Sequence, residues 1–313
     1  MGKVVVFGSF VVDLMARSPH LPVPGETVKG SMFKMGPGGK GFNQCVAAHK
    51  AGADVVLLTK LGKDSFANVA TDTMDELRMP KDGLFFTEET ETGIALILVD
   101  ENTSQNEIII VPGACNTITD AEVDSIEERI KESEYVLLQL EVNQDANERV
   151  VDMVNRYGCK VIVNTAPYSQ ISDEFLSKVY MVTPNEVEAE ELTGVHVEDL
   201  ESAHKAAEYF YEKGVEKVII TLGSRGVFVS SDGKEEIVPA FKVDAVDTTG
   251  AGDAFNGGLL AVERKGYMGS GSVCKRTGGA FGTKIRNNAV DAETGRDRSV
   301  SGRAQIENKV GGL

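Results

Sequence analysis

"DVVLLTKLG", residues Asp54–Gly62, runs through Val55, Val56, Leu57 and Leu58 without alternating polar and apolar positions. A strand wetted on one face alternates, so an unbroken apolar run marks a strand covered on both faces. The same pattern returns in "KVVVFG" (Lys3–Gly8), "YVLLQLE" (Tyr135–Glu141), "CKVIVNT" (Cys159–Thr165), "YMVTPN" (Tyr180–Asn185) and "KVIITLG" (Lys217–Gly223). Helical patterns such as Asp145–Tyr157 and Leu200–Lys213 fall between these runs. Buried strands separated by helices predict an α/β fold, a doubly wound, mostly parallel sheet flanked by helices.

Two stretches break that rhythm. "GETVKGSMFKM" (Gly25–Met35) and the pair "GIALILVD" (Gly93–Asp100) and "NEIIIVPG" (Asn106–Gly113) read as antiparallel strands, the pair joined by the polar turn Glu101–Gln105. They predict a small antiparallel β lid, from about 13–36 and 91–113, whose outer face pairs two subunits as a homodimer. The main α/β domain is expected over 1–265. From Gly266 the apolar periodicity fades, and from about Ala289 the composition predicts a flexible tail.

The chain has 313 residues, 42% hydrophobic content and a net charge of −16. It is long enough to bury a large core. The negative charge argues against a general nucleic-acid binder, and any anionic nucleotide must be held by local dipoles and a few cations. Cys45, Cys115, Cys159 and Cys274 lack the spacing of a zinc site, and no apolar run is long enough to span a membrane. A soluble cytoplasmic protein is the expectation. The four histidines show no pairing that points to a metal or a triad.

Two glycine-rich turns carry the chemistry. "GPGGKG" (Gly36–Gly41) formally matches a dinucleotide fingerprint, but it contains Pro37 and has Lys60 where the ribose-binding acid belongs. It also fails as a Walker loop, with Gly41 in place of Ser or Thr and Lys34 in place of the first glycine. "DTTGAGDAF" (Asp247–Phe255) sits where a strand pattern gives way to a helical one. It reads either as a turn with a helix cap, or as an anion cradle with a carboxylate beside it.

Taken together, "GPGGKGFNQCVAAHKAGADV", "TPNEVEAEELTG", "TLGSRG" and "DTTGAGDAF" resemble the ribokinase (PfkB-type) carbohydrate kinase family in order and spacing. "LLQLE" (Leu137–Glu141) and "GGKGFNQ" are closer to its ribokinase branch than to adenosine kinases or phosphofructokinases. The resemblance implies transfer of the ATP γ-phosphoryl group to a sugar hydroxymethyl, with D-ribose the leading substrate. Other sugars, a nucleoside, or a catalytically impaired sugar-binding relative stay open; a dinucleotide oxidoreductase is the distant alternative.

Residue by residue, the resemblance makes Asp253 the catalytic base, beside the N–H groups of Gly250, Ala251 and Gly252. A helix N-terminus is expected to favour the charged form of Asp253. Asp13, Gly39, Lys40, Asn43 and Glu141 match the sugar site; a loop cap is the plain alternative for Asp13, and a solvated strand end for Glu141. Asn185 and Glu188 match the element that organises Mg²⁺ with ATP, with a helix cap as the alternative, and Thr221 and Gly223 lie near the nucleotide. Asp247 and Thr249 match the first ligands of a monovalent cation, K⁺. One position departs: Val11 stands where bacterial ribokinases often carry a sugar-binding Asn.

Overall fold

The computed structural model describes residues 3–240 and 250–263. In chain order the strands are β1 (Lys3–Phe7), β2 (Val11–Ser18), β3 (Met32–Gly38), β4 (Val55–Gly62), β5 (Leu84–Thr87), β6 (Thr92–Asp100), β7 (Asn106–Gly113), β8 (Ser133–Leu138), β9 (Lys160–Val163), β10 (Met181–Val182), β11 (Lys217–Thr221), β12 (Val227–Ser231) and β13 (Lys234–Val238). The helices are α1 (Lys40–Lys50), α2 (Ala67–Leu77), α3 (Asp120–Ser125), α4 (Glu127–Lys131), α5 (Gln144–Arg156), α6 (Asp173–Leu176), α7 (Glu186–Thr193), α8 (Leu200–Glu212) and α9 (Ala251–Glu263).

Nine strands form the large sheet, in the order β13, β12, β11, β10, β9, β8, β1, β4, β5. Every pairing from β11 across to β5 is parallel. The apolar runs named above are its central strands, and Val4, Val6, Leu57, Leu137, Ile162 and Ile220 are buried in it. Helix α5 turns Ala146, Val150, Val151 and Val154 inward at helical spacing, and α8 does so with Ala203, Ala206, Ala207 and Phe210. The β12–β13 edge hairpin is antiparallel, an element the run pattern did not foretell because only one of its faces is covered. No described helix is long and apolar enough to cross a membrane.

The smaller sheet has the order β3, β2, β6, β7. Its two antiparallel pairs are joined by a parallel seam between β2 and β6, in register from Val11 opposite Gly93 to Ser18 opposite Asp100. The strand expected at Gly25–Met35 begins only at Met32 and continues through Gly36 and Pro37 to Gly38. Pro37 is tolerated there because β3 is an edge strand, where its missing N–H costs no ladder bond. The expected glycine loop is thus mostly strand, and the chain breaks direction at Gly39, with φ of 89°.

Helices α1 and α9 approach closely at Gly257. A Cβ there would stand 2.3 Å from the Gln44 carbonyl oxygen and 2.6 Å from the Ala47 Cβ, while one at Gly252 would meet nothing within 4 Å. Gly257→Ala is therefore expected to lose about 1–3 kcal/mol through overpacking, a fall in Tm of roughly 3–10 °C. Gly252→Ala should hold or raise Tm, since alanine favours a helix. Calorimetry on both variants checks this; equal melting would contradict the close packing.

Candidate active site

The strand order reverses at β1, which has β4 on one side and β8 on the other. Crevices in such sheets open beyond the carboxyl ends of the strands at this point. Ser9 follows β1 there, and Glu141 lies three residues beyond β8. The start of α1 sits on both. The Lys40 N–H donates to Glu141 Oε2 at 2.9 Å, the Phe42 N–H to the Ser9 carbonyl at 2.9 Å, and Ser9 Oγ to Glu141 Oε2. Glu141 is therefore neither a bare strand end nor free of structural duty: it caps α1 from outside. Gly41 permits this contact, since a Cβ there would stand 2.6 Å from the Gly8 carbonyl carbon.

Asp253, in the first turn of α9, points into the same crevice. Its Oδ1 accepts from Gln44 Nε2 at 2.9 Å and its Oδ2 from Asn43 Nδ2 at 3.1 Å, both from α1. Burial pushes its carboxyl up, opposed by the nearby Lys40 charge and the two amide donors. The helix-end effect expected from sequence is thus outweighed, because the side chain is only 9% exposed. Gly250, with φ of 74°, turns the chain into α9. The first intrahelical bond runs from the Ala254 N–H to the Gly250 carbonyl, so the N–H groups of Ala251 and Gly252 precede it and have no intrahelical acceptor.

Asp13 is not a loop cap. It lies within β2, opposite Gly36 of β3 and Ala95 of β6. Gly38 makes room for it, since a Cβ there would stand 2.1 Å from Asp13 Oδ1. Burial, then the charges of Glu141 and Asp253, push its carboxyl up to about 6. Asp13, Glu141 and Asp253 thus crowd one polar crevice with Lys40 as the neighbouring cation. Carboxylate oxygens here can accept from hydroxyls, and the amides and the helix start can donate to an anion.

Residues 1–273 match the family described as pfkB family carbohydrate kinase. The chain belongs to this family. It is 40% identical to a ribokinase of Haemophilus influenzae over 84% of this chain and 86% of that one. It is 36% identical to a deoxyribokinase of Salmonella typhi over 81% of this chain and 83% of that one. Among solved structures it resembles an Arabidopsis thaliana ribokinase complexed with ribose and ATP, with 28% identity, a TM-score of 0.78 and coverage of 85% and 86%.

In this kinase the remaining sequence-predicted positions lie at the carboxyl ends of β10 and β11. Asn185 caps α7: its Oδ1 accepts the Glu188 N–H at 2.8 Å, while Glu188 accepts from the Asn185 N–H at 3.0 Å and Nδ2 at 2.8 Å. The helix-cap reading of this pair is what the geometry displays. Burial raises the Glu188 carboxyl, opposed by the Asn185 N–H and the Lys40 charge. Thr221 bridges Asn185 across the strand ends, and Gly223 has φ of 54° just beyond. Asp247, Thr249 and the segment from 264 onward lie outside the described residues.

Sequence reasoning missed the side chains behind Asp253. Gln44, Gln139, Asn164, Thr183 and Asn256 are all buried, and hydrogen bonds join them beneath the crevice. The one available signal was polar residues interrupting apolar runs, such as Gln139 in "YVLLQLE" and Asn164 in "CKVIVNT".

Because the folded state holds the Asp13 proton more tightly than the unfolded chain, its stabilising contribution is full below about 4 and is lost as the pH rises through about 6. A ¹³C titration of aspartate carboxyls, with Asp13→Asn as the reference, should show a midpoint near 6. That midpoint should fall in Glu141→Gln, which removes a neighbouring negative charge. An ordinary midpoint in the unaltered protein would show that Asp13 is solvated.

Proposed function

We propose that this kinase transfers the γ-phosphoryl group of ATP to the hydroxymethyl oxygen of D-ribose, giving ribose 5-phosphate and ADP. The observation that carries this reading is the Asp253 carboxylate, aimed by Asn43 and Gln44 beside the first turn of α9. As the sugar oxygen bonds to phosphorus and the bond from phosphorus to the ADP oxygen breaks, the hydroxyl proton passes to Asp253. The N–H groups of Gly250, Ala251 and Gly252 receive the charge on the moving phosphoryl oxygens. Positioning and charge stabilisation carry most of the rate in such transfers, so the carboxylate need not be a strong base.

Asp13 and Glu141 would accept sugar hydroxyls, with Asn43, Lys40 and the backbone at Gly39 completing the sugar site. Asn185, Glu188, Thr221 and Gly223 would line the nucleotide side. ATP enters as its Mg²⁺ complex, and Mg²⁺ keeps several waters. Both Glu188 oxygens already accept from Asn185, so contact through water fits them better than direct ligation. Asp247 and Thr249 would supply the first ligands of a K⁺, and weak or absent K⁺ activation is expected. Cytoplasmic residence is part of the same proposal and rests on the likeness to ribokinases.

Asp253→Asn is expected to lower kcat by at least about 100-fold while ribose and ATP bind within a few fold of the unaltered enzyme. Coupled ADP release and calorimetric titration check this, and retention of a tenth of the turnover would sink the base assignment. A second reading is specific: Val11 is apolar and only 5% exposed, and the Salmonella relative is named for deoxyribose chemistry. An apolar residue leaves a 2-hydroxyl without a partner, so the kcat/KM ratio of ribose to 2-deoxyribose decides between the two sugars.

The smaller sheet is proposed as both lid and dimer surface. Phe33, Ile108, Ile109 and Ile110 are each at least half exposed, which makes an apolar patch that association would cover. Sedimentation should give twice the chain mass, falling to one chain mass when Ile108 and Ile110, on one face of β7, are both changed to Glu. A monomer at the outset would contradict the dimer.

A further inference from the structure

Asp253 is backed by a chain of buried amides whose direction is fixed at each link. Asn164 Nδ2 donates to the Thr183 carbonyl at 3.0 Å, which leaves Asn164 Oδ1 as an acceptor. Gln44 Nε2 donates to that oxygen at 2.9 Å and to Asp253 Oδ1 at 2.9 Å. Gln139 Nε2 in turn donates to Gln44 Oε1 at 2.7 Å. A flipped Gln44 amide would set its oxygen against two acceptors and its nitrogen against a donor. Asn164 and Gln139 thus hold Gln44 from its two ends, and Gln44 holds Asp253.

Gln139 is held in place against a local cost. Its Oε1 is buried without a partner among the described residues, a penalty that a residue kept for packing alone would avoid. Gly8 lies against it: a Cβ there would stand 1.9 Å from that same oxygen, so a side chain at this position would displace the end of Gln139. The two carboxylate oxygens of Asp253 differ in consequence. Oδ1 faces fully buried Gln44, whereas Oδ2 faces half-buried Asn43 on the open side.

We propose that Gln44, oriented by Gln139, is a positioning residue that fixes the rotamer of Asp253 and presents its Oδ2 to the attacking sugar hydroxyl. The proposal rests on the reading of Asp253 as the base. The charged groups acting on Asp253 include Lys40 of α1, Asp13 of β2 and Glu141 beyond β8. Against the two acids, the Gln44 amide is a neutral donor that favours the ionised carboxylate without adding charge to the crevice. Each link transmits orientation, and no proton needs to move along it.

Gln44→Met keeps the length and removes both donors. The acid limb of kcat/KM for the sugar should move up by about one pH unit and kcat should fall roughly 10- to 100-fold, with KM for ATP unchanged. Gln139→Met is the second variant; it exchanges one unpartnered buried oxygen, its own, for another, Gln44 Oε1, so its Tm should stay close to that of the unaltered protein. It should shift the limb in the same direction by less. A ¹³C titration of the Asp253 carboxyl, identified against Asp253→Asn, reads the effect without turnover. An inactive Asp253→Asn with an unchanged Asp253 midpoint in Gln44→Met would overturn the role of Gln44 alone. An active Asp253→Asn would overturn the base, even if the midpoint moves. A uniform loss of activity across pH in both Met variants would show only structural support.

Discussion

The structure depends on one carboxylate held where a carboxylate is expensive. Asp253 is almost fully buried at the start of α9, and what makes that tolerable is a pair of amides from α1, Asn43 and Gln44, with Lys40 nearby. Removing a charge from water costs several kcal/mol unless donors replace it. The helices must therefore meet at close range, and Gly257 is what lets them. The start of α1 must in turn be fixed to the strand ends, which Ser9 and Glu141 do through its first N–H groups. The site is thus a consequence of how α1 is clamped between the sheet and α9.

The same clamp explains why acids gather in a chain that is already strongly negative. The Glu141 and Asp253 charges raise the affinity of Asp13 for its proton, and the Glu141 charge does the same to Asp253. A polyol supplies hydroxyl hydrogens to such acceptors, and a phosphoryl group needs donors a few ångströms away. On the proposed assignment, acceptors on β2 and beyond β8, with donors on the first turn of α9, would separate those two demands in space. Each acid also has a structural partner, Glu141 in the cap of α1 and Asp13 in the gap left by Gly38, so the protein itself holds both in place.

Much of this was legible in the sequence. Unbroken apolar runs identified the central strands because burial on both faces leaves no room for alternation, and "DTTGAGDAF" marked the helix start through residue types that serve few other purposes. The capping alternative for Asn185 and Glu188 was equally visible, and that is the geometry adopted. What stayed hidden was long-range. Gln44 meets Asn164 and Asp253 across 120 and 209 residues of chain, and no local pattern encodes such a pairing. The parallel seam between β2 and β6 was hidden for the same reason, since strand partnership is decided by tertiary packing.

The most direct measurement is the identity of the product. Ribose labelled with ¹³C at the hydroxymethyl carbon, incubated with ATP and the enzyme, should give a phosphate ester whose ³¹P resonance couples to that carbon, with one ADP formed per ester. ADP released without any sugar ester, or an ester on a different oxygen, would contradict the placement of the hydroxymethyl group at Asp253.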